Sequence, residues 1–142
     1  MGPRRSSPEW LDRVKDHLDD REDVLLAFLF GSFSAGKEHQ GSDVDIAVYL
    51  ESPYTTGDVE SLSSRLEDMC QREVGLLVLN DAPPGIAWTA MKGEVLAMKD
   101  MRLYIDLMLR VSREAEDFHH VVVDFWRWRK VAERAQNATT DK

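Results

Sequence analysis

Residues 28–50, FLFGSFSAGKEHQGSDVDIAVYL, constrain this chain more than any other stretch. An apolar run, Val24 to Phe30, ends in Gly31-Ser32, and after ten more residues Asp43-Val44-Asp45 opens a new segment. Seven apolar residues fall far short of the roughly 20 that a membrane-spanning helix needs, and they read as a buried strand. The second segment alternates Asp43, Asp45, Ala47 and Tyr49 with Val44, Ile46, Val48 and Leu50, which predicts a second strand with one apolar face. Side chains two apart on a strand point the same way, so both carboxylates leave one face. Two such charges repel, and each resists ionising unless a cation lies between them. Hard oxygen ligands on a rigid element suit Mg²⁺, which takes one or two protein carboxylates and completes its shell with water and phosphate oxygens. Gly31 lets backbone approach a phosphate closely, and Ser32 offers an N–H and a hydroxyl. The plain alternative makes Gly31 a turn residue and the aspartates a solvated strand face, since a bare D-x-D is common. Ser42, and the Gly-Ser directly after an apolar strand, favour the functional reading.

Around this centre the pattern predicts helices. SSPEWLDRVKDHLDD opens with Ser7 as N-cap and Pro8 at the first helical position, and Trp10, Leu11, Val14 and Leu18 recur at helical spacing. SFSAGKEHQGS is a polar connection with one helical turn near Ser34 to Lys37. SPYTTG is a loop, and DVESLSSRLEDMCQRE carries Val59, Leu62, Leu66 and Met69 on one helical stripe. VGLLVLN reads as a third strand that DAPPG stops. IAWTAMKG, a short helix or irregular stretch, leads into EVLAM, and residues 99–136 are helical, with Met101, Ile105 and Met108 among the apolar positions. The order helix, strand, strand, helix, strand, then helices predicts a small α/β or α+β domain, a mixed sheet packed by helices with a long C-terminal helical segment. One domain is expected over residues 1–136, with its core at 24–97, its helical segment at 99–136 and a flexible tail at 137–142.

Composition narrows the partners. The 142 residues carry 26 acids against 18 Lys and Arg, a net charge of -8, which weighs against a nucleic-acid backbone as the main partner. The single cysteine, Cys70, excludes an internal disulfide and suits a reducing cytoplasm; its helical setting beside Met69 makes it a packing residue. No signal peptide or membrane span is recognisable, so a cytoplasmic location is expected.

The arrangement GS, ten residues, DVD resembles the motif of the DNA polymerase β-type nucleotidyltransferase superfamily. LFGSFSAG, GSDVDIAV and LLVLNDAPP are similar to its minimal nucleotidyltransferase (MNT) branch, which includes antitoxins encoded beside HEPN ribonuclease toxins. The likeness covers roughly residues 24–97, and more loosely the helices beyond. It implies a nucleotidyltransferase fold with ATP as substrate and Mg²⁺ as cofactor against the sheet. Gly31, Ser32 and Ser42 would bind nucleotide, and Asp43 and Asp45 would bind metal and serve catalysis. Lys37 and His39 lie between the motif halves and could touch the triphosphate, but a solvated loop explains each of them better.

The family usually adds a third carboxylate on the next strand, and the LNDAPP alignment puts Gly75 there. In a two-metal scheme that carboxylate helps hold the catalytic metal and can deprotonate the attacking hydroxyl. Three readings remain open: Glu73, two residues earlier and roughly 7 Å along the strand, reaches the site; Asp43 and Asp45 suffice; or catalysis is lost and the domain acts by binding. Residues 99–136 add Tyr104, His119, His120, Phe125, Trp126 and Trp128 and the cluster RWRK, apolar over more than one stripe, so part of this segment is expected to meet another chain. Successive His119 and His120 cannot share a helix face, which excludes a joint metal site there. Arg113 and His119 echo the HEPN ribonuclease pattern only loosely. The expectation is an Mg²⁺-dependent protein adenylyltransferase of antitoxin type, moving AMP to a tyrosine hydroxyl of a HEPN toxin. The alternatives are a non-catalytic antitoxin that acts by complex formation and a small-molecule nucleotidyltransferase.

Overall fold

The computed structural model describes residues 8–31, 43–114 and 127. Helix α1 (Glu9–Asp20) precedes strands β1 (Val24–Phe30) and β2 (Val44–Leu50). Helix α2 (Thr56–Cys70), strand β3 (Val74–Val78), a 3₁₀ turn (Leu79–Asp81), helix α3 (Pro84–Met91), strand β4 (Glu94–Met98) and helix α4 (Met101–Glu114) follow. The sheet order is β3-β2-β1-β4. β1 runs antiparallel to both β2 and β4, while β2 and β3 are parallel, joined by α2 as their crossover. The mixed α/β architecture expected from the pattern is the one observed.

Helices cover both faces of the sheet. Trp10, Leu11, Val14 and Leu18 of α1 and Leu62 and Leu66 of α2 bury against Val44, Ile46, Val48 and Leu50 of β2. Across the sheet, Leu26, Phe28 and Phe30 of β1 and Ala47 pack with Ile86, Ala87 and Ala90 of α3 and Leu107 and Val111 of α4. β1 therefore alternates between two cores, which is why it reads as an unbroken apolar run. Helix α2 begins with a capping box: the Asp58 N–H donates to Thr55 Oγ1 at 3.0 Å, and the Thr55 N–H donates to Asp58 Oδ2 at 2.9 Å.

The structure corrects two sequence expectations, the number of strands and the N-cap of α1, and fixes two faces that the pattern left open. EVLAM is a fourth strand, omitted from the expected order because five residues at a sheet edge carry too little alternation. The face of β2 opposite its apolar one is also covered, since α3 and α4 lie over Ala47 and Asp45 is 1% exposed. On α4 the buried residues are Leu107 and Val111, whereas Met101 and Ile105 face outward. The N-cap of α1 is Pro8 with no side-chain cap bond, the Leu11 N–H donating to its carbonyl at 3.0 Å. Ser7, the turn at Ser34 to Lys37, Lys37, His39, His119, His120, Phe125, Trp126 and Trp128 lie outside the described residues. Among the described residues no helix is long and apolar enough to cross a membrane.

Candidate functional site

The site lies where β1 ends and β2 begins. Gly31 follows β1 with φ +73°, a left-handed conformation that a side chain resists. A Cβ built there would overlap Asp45 Oδ2 and stand 3.1 Å from Asp45 Cγ. The carboxylate thus fills the space that glycine leaves empty. The register fixes this meeting, because Phe30 pairs with Asp45 across the antiparallel ladder. Val44 and Ile46, the neighbours of Asp45, bury in the opposite core and prevent slippage, since a one-residue slip would exchange the faces.

Asp43 precedes β2 and is half-buried. Strand alternation, extended one residue back from β2, would put it on the face of Asp45. On the other side of β2, Asp45 pairs with Gly75 in the parallel ladder. The position that aligns with the family's third carboxylate is therefore directly beside Asp45, and it carries no side chain. Glu73 is exposed in the connection before β3, and its backbone carbonyl accepts from the Val44 N–H at 3.0 Å. Its place is that of a surface carboxylate at a helix-to-strand junction. Among the described residues no three His, Cys, Asp or Glu side chains converge as a metal site. The donor set fits one hard cation held by Asp43 and Asp45, with water and phosphate oxygens completing it, and falls one carboxylate short of the three-carboxylate arrangement. Ser32 and Ser42 lie outside the described residues.

Other polar groups mark the framework around the site. Asn80 binds the last residue of β2 twice: the Leu50 N–H donates to Asn80 Oδ1 at 2.9 Å, and Asn80 Nδ2 donates to the Leu50 carbonyl at 2.8 Å. The asparagine of LNDAPP thus ties the turn after β3 to β2, at the sheet end away from Gly31. Tyr54 donates its hydroxyl to Asp81 Oδ2 at 3.2 Å, with its pKa raised by desolvation first and by Asp81 second. Cys70 is buried at the end of α2, and burial pushes its thiol up to about 11, as suits a packing residue rather than a nucleophile. Sequence reasoning missed the clasp of Asn80, because a lone asparagine after a strand has many uses.

The comparisons bear on the fold. The family model described as polymerase beta nucleotidyltransferase matches residues 12–102, well over half of the chain. The chain belongs to that family. No curated protein sequence matches it. Among solved structures, a chain of a toxin–antitoxin structure with AMP-PNP aligns at TM-score 0.61 and 18% identity, covering 95% of this chain and all of that one. A chain from a structure of a tri-AMPylated Shewanella oneidensis HEPN toxin in complex with MNT antitoxin aligns at TM-score 0.54 and 14% identity, over 93% of this chain and 99% of that one. A candidate minimal nucleotidyltransferase aligns at TM-score 0.51 and 20% identity, over 66% of this chain and its own full length. At these identities the likeness is one of fold, and that fold is the nucleotidyltransferase fold which the GS–DVD motif implied.

Proposed function

We propose that this chain is an MNT-type antitoxin that transfers AMP from ATP to a tyrosine hydroxyl of a HEPN ribonuclease partner. The observation that carries the reading is the meeting of Gly31 and Asp45, which brings a close-approach backbone and a buried carboxylate to one point. Asp43 and Asp45 would hold Mg²⁺, which supplies charge neutralisation at the phosphates when bound. Gly31, Ser32 and Ser42 would hold the triphosphate through backbone N–H groups and hydroxyls, orienting the α-phosphorus toward the acceptor. The acceptor oxygen forms its bond to that phosphorus as the bond to the bridging oxygen breaks and pyrophosphate leaves. With glycine at position 75 the chain offers no base there, and the hydroxyl proton passes to water. Support comes from family membership, from the donor set of the site and from a fold shared with chains of toxin–antitoxin structures.

A second reading has its own observation. Gly75 pairs with Asp45 where a third carboxylate would stand, and in this reading the domain neutralises its partner by complex formation alone. Incubation with α-labelled ATP, Mg²⁺ and the product of the adjacent gene separates the two. Transfer to the partner that disappears when Asp43→Asn and Asp45→Asn are combined is expected. No transfer, or equal transfer by the double variant, removes the enzymatic reading; a double variant that still binds and protects cells establishes the second.

A further inference from the structure

Helix α4 buries one face and leaves another apolar. Leu107 and Val111 are buried, with Tyr104 and Met108 packed beside them, and the Tyr104 ring lies 5.9 Å from that of Phe28. Met101, Ile105 and Leu109 are 57%, 48% and 55% exposed. Spaced four apart, they stack into one continuous stripe along the outside of the helix. Exposed Arg102, Arg110 and Arg113 stand along the exposed side of this helix, with Asp106 an exposed acid among them. This face is therefore locally basic on a chain whose net charge is -8.

The helix sits at a defined end of the sheet. The Lys99 N–H, just before α4, donates to the carbonyl of Leu25, near the start of β1 and away from Gly31. Farther along, Leu107, Arg110 and Val111 line a cavity of about 280 Å³ with Leu79, Asn80 and Asp81, the turn clasped to the end of β2. Helix α4 thus crosses the sheet at the end opposite Asp43 and Asp45.

We infer that the outer face of α4 docks the partner protein, and that the partner presents an apolar helix face edged by carboxylates. This rests on the antitoxin reading above. Charge selects the occupant. In a two-fold pair of identical chains the same basic face would meet itself, arginine toward arginine. An anionic bilayer would attract the arginines but repel the acidic remainder of the chain. A separate protein with an acidic rim satisfies both stripe and rim. Because none of the stripe residues belongs to the candidate site, docking and AMP transfer are separable.

The test measures binding of the adjacent gene's product to purified full-length chain over a range of salt concentrations, with ATP binding measured in parallel. Combining Ile105→Glu with Leu109→Glu is expected to weaken the complex by about thirtyfold or more. The pair Arg102→Glu with Arg110→Glu should weaken it and flatten its salt dependence. All variants should bind ATP as the unaltered chain does, and the milder pair Ile105→Ala with Leu109→Ala guards against misfolding. Unchanged affinity in the stripe variants overturns the proposal. So does a self-associated chain that the stripe variants render monomeric, or flotation with anionic vesicles that they abolish while the complex persists. Failure of the unaltered chain to bind that protein at all removes the antitoxin reading itself, and this docking partner with it.

Discussion

Gly31 and Asp45 show how one residue can be required by another that is distant in the chain. The glycine is needed twice, once for its φ of +73° and once because Asp45 occupies the place of a side chain. An L residue in the left-handed region costs roughly 1–2 kcal/mol, and the overlap with the carboxylate adds to that. Gly31→Ala should therefore lower stability by about 1–2 kcal/mol in urea unfolding. The same substitution displaces the Asp45 carboxylate, so ATP affinity by calorimetry should fall by about tenfold or more, the change that about 1.4 kcal/mol makes. Retained affinity with lowered stability would mean that the glycine serves the turn alone. Asp45, at 1% exposure, carries the complementary demand: a buried charge is tolerated only where partners or a cation satisfy it.

Among the elements, α1 and α2 form the layer that holds β2 in register, and their contact carries a titratable group. His17 of α1 has a buried Nε2 without a hydrogen-bond partner. Burial is the first cause that lowers its pKa from 6.5, and the charges of Arg21 and of Arg65 on α2 lower it further, against the smaller opposing effects of Asp20 and Asp23. The folded state therefore binds this proton less readily than the unfolded chain does. Its stability is fully present above pH 6.5 and declines as pH falls through the lowered folded value. Replacing His17 by Gln should flatten this part of the profile. In denaturant titrations at neutral and mildly acid pH, the difference between the two proteins should change in favour of the variant as pH drops. Partial exposure keeps the effect small. An unchanged difference would show that the proton is taken up without cost.

At the scale of the whole molecule, the sheet brings three strands together at the candidate site. β1 supplies Gly31 at its end, β2 supplies Asp45, and β3 supplies Gly75 beside it. The parallel register means that a carboxylate introduced at position 75 would project from the same face as that of Asp45. Gly75→Asp should therefore raise the affinity for Mg²⁺ and increase label transfer from ATP to the partner, as read by metal titration and by the transfer assay. A variant that binds metal more tightly without faster transfer would show that turnover is limited elsewhere. At the opposite end of the sheet, Asn80 clasps Leu50, and Leu107, Arg110 and Val111 of α4 line a cavity with the turn that carries Asn80.

Much of this was legible in sequence because it depends on local periodicity. The apolar run of β1, the alternation in β2 and the stripes of α1 and α2 each announce an element, and GS–DVD announced the nucleotidyltransferase fold. Strand β4 was not legible, since an edge strand of five residues is stabilised by its pairing with β1 rather than by its own pattern. The outward face of α4 escaped as well: its apolar residues surround much of the helix, and periodicity does not say which of them a neighbour covers. The sequence by itself singled out Asp43 and Asp45 as candidates to meet a phosphate and a metal, because two residues apart along an extended strand they would share one face. Only the tertiary structure decided that the Asp45 carboxylate fills the space at Gly31, that Gly75 stands next to it and that the stripe of α4 lies at the far end of the sheet. Those relations are set by strand register and helix docking between distant segments, where burial of two cores, and not any local preference, selects the arrangement.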